Sequence, residues 1–195
     1  MIKEIILNNG FIYGSLIIFK KLILRVRNFA LSIILSAEKI NLDWDYEIRG
    51  INFIKFGPNF YAKSGLWIEA ITKYGNCKFL PKIKIGTNVS FSKNVHISCA
   101  SSISIGDNVL FGSNILISDN HHGSYSGSNQ SIPSEPPSKR PLYIRNPIII
   151  DDNVWICDGV IVLSGSSIGY GSIIAANSIV QGDIPPQCLA SGNPC

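Results

Sequence analysis

The sequence predicts an all-β parallel solenoid, a triangular coil of short stacked strands preceded by an amphipathic helix. Three observations carry this. Aliphatic residues recur every six positions at Ile150, Ile156, Val162, Ile168, Ile174 and Val180. A small or β-branched residue follows each of them four places on, at Val154, Val160, Ser166, Ser172, Ser178 and Ile184. A stretch rich in Ser, Gly, Asn and Pro then breaks the rhythm between residues 118 and 146.

A period of six fits neither a 3.6-residue helix nor a two-residue strand repeat. It fits a short strand plus a turn, with one side chain pointing inward per strand. Three such units close a coil of about eighteen residues, and stacked coils bury one another's inward faces. Ile85, Phe91 and Ile97 keep the period, as do Ile105, Phe111 and Ile117, with a weaker set at Phe56, Ala62 and Ile68. About five coils follow, beginning near Phe56, Ile85, Ile105, Ile150 and Ile168. Glycine often follows the aliphatic position, at Gly57, Gly86, Gly106, Gly112 and Gly169, and is expected to supply the permissive turn backbone. The small residue four places on suits a cramped inside corner. Pro185 and Pro186 are expected to end the repeat, since proline donates nothing to a ladder.

The domains read as an N-terminal helical segment over 1–45 and a solenoid over 46–195, with the loop 118–146 extruded from its middle. Residues 71–84 interrupt the stack a first time. Residues 11–35 form an amphipathic pattern: Lys20, Lys21, Arg25 and Arg27 fall with Asn28 on one arc, opposite Leu22, Ile23, Val26, Phe29, Ile33 and Ile34. The cations break the apolar run well short of the ~20 residues a membrane span needs. Two readings stay open: an interfacial helix that holds the protein peripherally on the inner face of the cell membrane, or a cap over the open end of the solenoid.

Composition bounds the function. Hydrophobic residues make up 46% and charged residues 15% of 195, which excludes a polar disordered chain. The basic clusters, at residues 20–27 and at Lys139, Arg140 and Arg145, lack the density and aromatic interleaving of a nucleic-acid groove. Five cysteines (Cys77, Cys99, Cys157, Cys188, Cys195) with no C-x-x-C pair disfavour a disulfide framework and a structural zinc site, and suit a reducing, cytoplasmic compartment. Leu35-Ser36-Ala37 has the look of a cleavage site, but cations at 20–27 sit where a signal peptide's apolar region would run.

So long a loop in so regular a domain is usually functional, and two of the three histidines, His121 and His122, stand at its root. Histidine is the natural general base at neutral pH, and a sugar hydroxyl needs one to become a nucleophile. The run Ile117 to Gly127, ISDNHHGSYSG, followed by Asn153-Val154-Trp155-Ile156, resembles bacterial O-antigen and lipopolysaccharide O-acetyltransferases. More distantly it is similar to galactoside, maltose and streptogramin acetyltransferases. All are hexapeptide-repeat acyltransferases, whose fold is a left-handed parallel β-helix, and the resemblance covers roughly residues 55–195.

The resemblance implies an acetyl-CoA-dependent O-acetyltransferase acting on a sugar of a surface polysaccharide, assembled as a homotrimer and needing no metal. His122 matches the general base, with His121 the runner-up. Asp119 is the nearest carboxylate to orient the imidazole, with Glu135, Asp43 and Asp45 as alternatives. Acetyl-CoA is expected in the groove between subunits, lined by Trp155 and touched, largely through backbone, at Asp158, Ala176, Gln181 and Gly182. Two departures bear on CoA binding. Gln181-Gly182 stands where relatives carry a lysine, and the basic segment they place after the match to Gly192-Asn193-Pro194 has no counterpart before Cys195, so a shortened C-terminus is expected.

Three other readings fit the residues less well. Cys157 replaces a family glycine, and thiolate catalysis there lacks an activating partner. A γ-carbonic-anhydrase-like zinc site would need His96, His121 and His122 to converge. A non-catalytic scaffold leaves the histidine loop and Trp155 unexplained.

Overall fold

The structure, a computed structural model, describes residues 2–125, 127–128 and 130–195; positions 126 and 129 of the long loop lie outside it. Short parallel strands stack into three faces of seven, six and six strands. The first face runs from Asn41–Leu42 to Leu189–Ala190, the second from Tyr46–Arg49 to Ile179–Val180, and the third from Ile54–Phe56 to Asp183–Ile184. The chain visits the faces in that order, so it makes six turns and one further strand, against about five counted from the spacing.

The uncounted first turn starts at Asn41, inside the segment assigned to the helix, where Leu42 pairs with Ala62 and Ile48 with Ile68. Leu42, Ile48 and Ile54 keep the spacing of six there, and the 3-10 turn at Ile51–Phe53 offsets this turn by two residues from the following set at Phe56, Ala62 and Ile68. Pro185 and Pro186 do not end the repeat. Leu189–Ala190 still pairs with Ile173–Ile174, because the prolines occupy a corner and no ladder position there asks for their N–H.

The inward residues form the core. Ile150, Ile156, Val162, Ile168, Ile174 and Val180 are buried, as are the earlier aliphatic sets. Phe60, Phe91 and Phe111 stack edge to face down the axis, with centroids 5.2 and 4.6 Å apart. The buried corner hydroxyls of Ser166 and Ser172 are satisfied by carbonyls of the next turn, Val180 at 3.0 Å and Pro185 at 2.7 Å.

The turn chemistry differs from the expectation. Gly57, Gly86, Gly106, Gly112 and Gly169 are not in the left-handed region; asparagines hold it instead, at Asn59, Asn88, Asn94, Asn108, Asn114, Asn153 and Asn177 with φ between 57° and 60°. Asparagine tolerates this conformation better than other side-chain-bearing residues. Its amides also pair between turns, Asn88 Nδ2 donating to Asn108 Oδ1 at 3.0 Å. The glycines are needed for close approach: a Cβ on Gly86 would run into the Gly106 carbonyl of the next turn.

Two helices precede the stack, α1 (Ile2–Asn9) and α2 (Phe11–Ile34). They fold back on each other at Gly14, where a Cβ would come within 3.0 Å of Ile6 Cα. The end of α2 crosses the open bottom of the solenoid, and its polar arc makes the contact. Arg27 donates to the Leu42 and Asp43 carbonyls, Asn28 Nδ2 to Asn41 Oδ1 at 3.0 Å, and Lys20 pairs with Asp43 at 3.4 Å. The first strand's unpaired carbonyls explain why polar groups are drawn there. Lys20, Arg27 and Asn28 of the polar arc therefore serve the cap, and the aliphatic arc faces outward.

Candidate active site

Every interruption of the first four turns leaves the solenoid at one corner, between the second and third faces. The second turn extrudes a hairpin of Lys73–Tyr74 and Cys77–Lys78 there. The fourth extrudes the long loop, which opens as an antiparallel pair of Asn120–His122 with Leu142–Ile144. Because they share a corner, the two excursions meet. The Tyr74 ring lies 5.1 Å from His122, and its hydroxyl donates to the Ser138 carbonyl at 2.6 Å.

Strand alternation sends the adjacent histidines to opposite sides. His122 faces Tyr74, whereas His121 lies against Tyr143, with ring centroids 5.2 Å apart, and Tyr125, at 6.0 Å. Both are exposed. Partial burial of the ring, and then the neighbouring His122, hold the His121 pKa below its ordinary value.

The loop is braced by Arg140, only 9% exposed. Its guanidinium donates to the Glu135 carbonyl at 2.9 Å, the Pro133 carbonyl at 3.1 Å and the Tyr125 hydroxyl at 3.0 Å. The Tyr125 hydroxyl in turn donates to the backbone carbonyl of His122. Gly123 takes φ 88°, and a Cβ there would meet Ser131 Oγ at 2.6 Å and Arg140 Cδ at 2.9 Å, so glycine is required beside His122.

Asp119 does not orient either histidine. It is fully buried, and its carboxylate accepts from the backbone N–H of Ala100 at 2.7 Å and of Ser101 at 2.8 Å. It also accepts from the Asn120 amide at 3.1 Å and the Cys99 thiol at 3.3 Å. Its work is to satisfy two amides at a corner that would otherwise be buried without partners. Asp43 is likewise engaged elsewhere, with Lys20, Ser64 and the Trp44 N–H.

The predicted cofactor residues divide between two corners. Trp155 stands 46% exposed on the first face, in an outward row with Leu110 and Ile173. Asp158 and Ala176 occupy equivalent positions of successive turns at the corner after it. Asp158 Oδ1 accepts the Ser113 N–H, as Asp107 and Asp152 cap the amides of Thr87 and Asp107. That carboxylate oxygen is thus committed to joining turns. Gln181 and Gly182 lie at the histidine-loop corner, above it in the stack.

Cys157 is no thiolate: burial and the Asp158 carboxylate push its thiol pKa up. His96 stacks on Trp67, centroids 3.9 Å apart and 6° from parallel. It does not join the other histidines, and among the described residues no group of three His, Cys, Asp or Glu side chains is placed to hold a metal ion. Tyr74 is the site residue that sequence reasoning passed over. The available signal was that both interruptions fall after a second-face strand.

No protein-family model and no curated protein matches the sequence. Solved structures do match. A maltose O-acetyltransferase from Clostridium difficile 630 aligns with a TM-score of 0.56 and 26% identity, over 91% of this chain and 81% of that one. AntD, an N-acyltransferase from Bacillus cereus solved with dTDP and 3-hydroxybutyryl-CoA, aligns with a TM-score of 0.66 and 16% identity, over 81% and 78%. Fold and site define the class, a left-handed parallel β-helix with a histidine-bearing loop extruded from one corner. The β-helix itself, the fold of the acyltransferases that the sequence resembles, is what the chain shares with these two structures.

Proposed function

We propose that the chain is an acetyl-CoA-dependent O-acetyltransferase that modifies a sugar hydroxyl of a bacterial surface polysaccharide. The observation that carries this is the braced hairpin presenting His122 at the interruption corner of a β-helix shared with a maltose O-acetyltransferase. His122 takes the acceptor hydroxyl's proton while that oxygen attacks the thioester carbonyl carbon. The tetrahedral intermediate collapses with cleavage of the C–S bond, and the imidazolium returns its proton to the CoA thiolate. The ester and free CoA are the products, and no covalent enzyme intermediate is needed.

The working unit in this reading is a homotrimer, with acetyl-CoA in the groove between subunits. Support comes from the outward row of the first face, where Tyr61, Leu110, Trp155 and Leu189 are exposed apolar residues on a rigid surface. Support comes also from the separation of Trp155 and His122 on different parts of one chain, which a neighbouring subunit would bridge. The test is thiol release from acetyl-CoA by the purified protein over a panel of sugars, including amino sugars, with sedimentation in parallel. Turnover with a hydroxyl acceptor and a trimeric mass are expected. Acetylation of amines alone, or activity in a strict monomer, overturns the corresponding part.

A further inference from the structure

Half of the exposed large hydrophobic residues among those described, thirteen of twenty-six, fall within residues 2–34. They include Leu7 at 84% exposure, Phe11 at 75% and Phe29 at 71%. Only Gly14 and Asn28 of α2 are buried, with Leu31 partly buried against the core, so its attachment is mostly polar and its aliphatic arc is left uncovered. From Ile5 to Phe19 there is no charged residue, while Lys3 and Glu4 precede that stretch and Lys20 and Lys21 follow it.

We infer that the α1–α2 hairpin is a monotopic membrane anchor, laying its aliphatic surface into one leaflet of a bilayer with anionic headgroups. A patch of this size on a soluble surface marks an interaction site, and two features select lipid as the occupant. The first is charge. Residues 1–100 carry fourteen Lys and Arg against six Asp and Glu, net +8, whereas residues 101–195 carry three against seven, net −4. The end of the stack that bears the hairpin is therefore strongly cationic and the far end anionic, which orients the molecule on a negative surface. A second copy docking face to face would instead set Lys21 and Arg25 against like charges.

The second feature is dimension. An eight-residue α1 is only about 12 Å long, and no helix among the described residues is long and apolar enough to cross a membrane. The hairpin, closed at Gly10 with φ 73° and packed at Gly14, has the geometry to lie in the headgroup boundary. Because Arg27 and Lys20 are held by the solenoid, insertion of apolar side chains carries the binding and the remaining cations assist it. None of this rests on the catalytic assignments.

The experiment is flotation of the full chain with phosphatidylcholine vesicles, with and without phosphatidylglycerol, at low and high salt. The wild type is expected to float with the anionic vesicles, and high salt to reduce but not abolish this. Phe19→Asp with Val26→Asp should lower the floated fraction about tenfold or more, since a carboxylate is costly within the bilayer. Lys21→Gln with Arg25→Gln should lower it less. Circular dichroism should show both variants folded. A wild type that stays at the bottom of the gradient, or an Asp variant that floats equally, overturns the inference. So does a non-floating wild type with twice the Asp variant's mass in lipid-free buffer, which assigns the face to a second copy.

Discussion

The Tyr74 ring packs 5.1 Å from His122 and, through its hydroxyl, ties one excursion of the solenoid to the other at the Ser138 carbonyl. Two loops distant in sequence thereby form one wall around the proposed base. Tyr74 is a positioning residue in this arrangement. Tyr74→Ala is expected to lower kcat by about 10–100-fold, the range for misplacing a catalytic group, with little change in KM for acetyl-CoA. Tyr74→Phe keeps the ring and should recover most of the rate. Equal losses in both variants would show that the hydroxyl, not the ring, matters.

His122→Ala should lower kcat by about 10²–10⁴-fold, as loss of a general base does, with substrate binding nearly unchanged. His121→Ala should be much milder, because that ring faces Tyr143 on the other side of the strand. The opposite ranking would reassign the base to His121.

His121 should titrate below 6.5 in the folded protein, as followed by the imidazole resonances in NMR. Since burial lowers its folded pKa, the unfolded chain binds the proton more tightly between the folded value and 6.5. The stabilising contribution is full above 6.5 and is lost as pH falls through that window. His121→Gln should flatten that portion of the stability–pH curve. A midpoint above 6.5 would contradict the burial argument.

Alanine at Gly86 and alanine at Asn88 should both destabilise the fold, for different reasons. Gly86→Ala is expected to cost about 1–3 kcal/mol by overpacking, because a Cβ there meets the Gly106 carbonyl. Asn88→Ala should cost about 1–2 kcal/mol for a left-handed conformation, and Asn88→Gly should relieve most of that. Denaturant unfolding of the three variants measures both. An Asn88→Gly protein as unstable as Asn88→Ala would place the loss in the amide ladder instead.

Trp155→Ala should raise KM for acetyl-CoA with kcat close to normal, since the ring stands on the first face away from the histidine hairpin. Dissociation of the assembly in the same variant, seen by sedimentation, would instead place the ring in subunit packing.

Much of this was legible in the residues. Inward side chains at a spacing of six, such as Ile150, Ile156 and Val162, specify strand, turn and stacking together, because each coil buries only its neighbours and the pattern is local. Histidines at the root of a long loop in a regular domain pointed to a candidate site, and the hairpin there bears both. Local reading failed at the first turn, from Leu42 to Phe56, where the 3-10 turn at Ile51–Phe53 puts the spacing of Leu42 and Ile48 out of step with the sets that follow.

The sequence by itself determined the repeat, its inward residues and the arcs of the amphipathic helix, because each follows from the period of a single element. Only the tertiary structure decided which way those arcs turn, since the choice depends on what the solenoid offers at its open end. The unpaired carbonyls of Leu42 and Asp43 drew in Arg27 and left Val26 and Phe29 outside. It also decided that Asp119, next to the histidines in sequence, answers to the amides of Ala100 and Ser101. A buried carboxylate takes the donors that the neighbouring turn brings to it, and adjacency along the chain does not supply them.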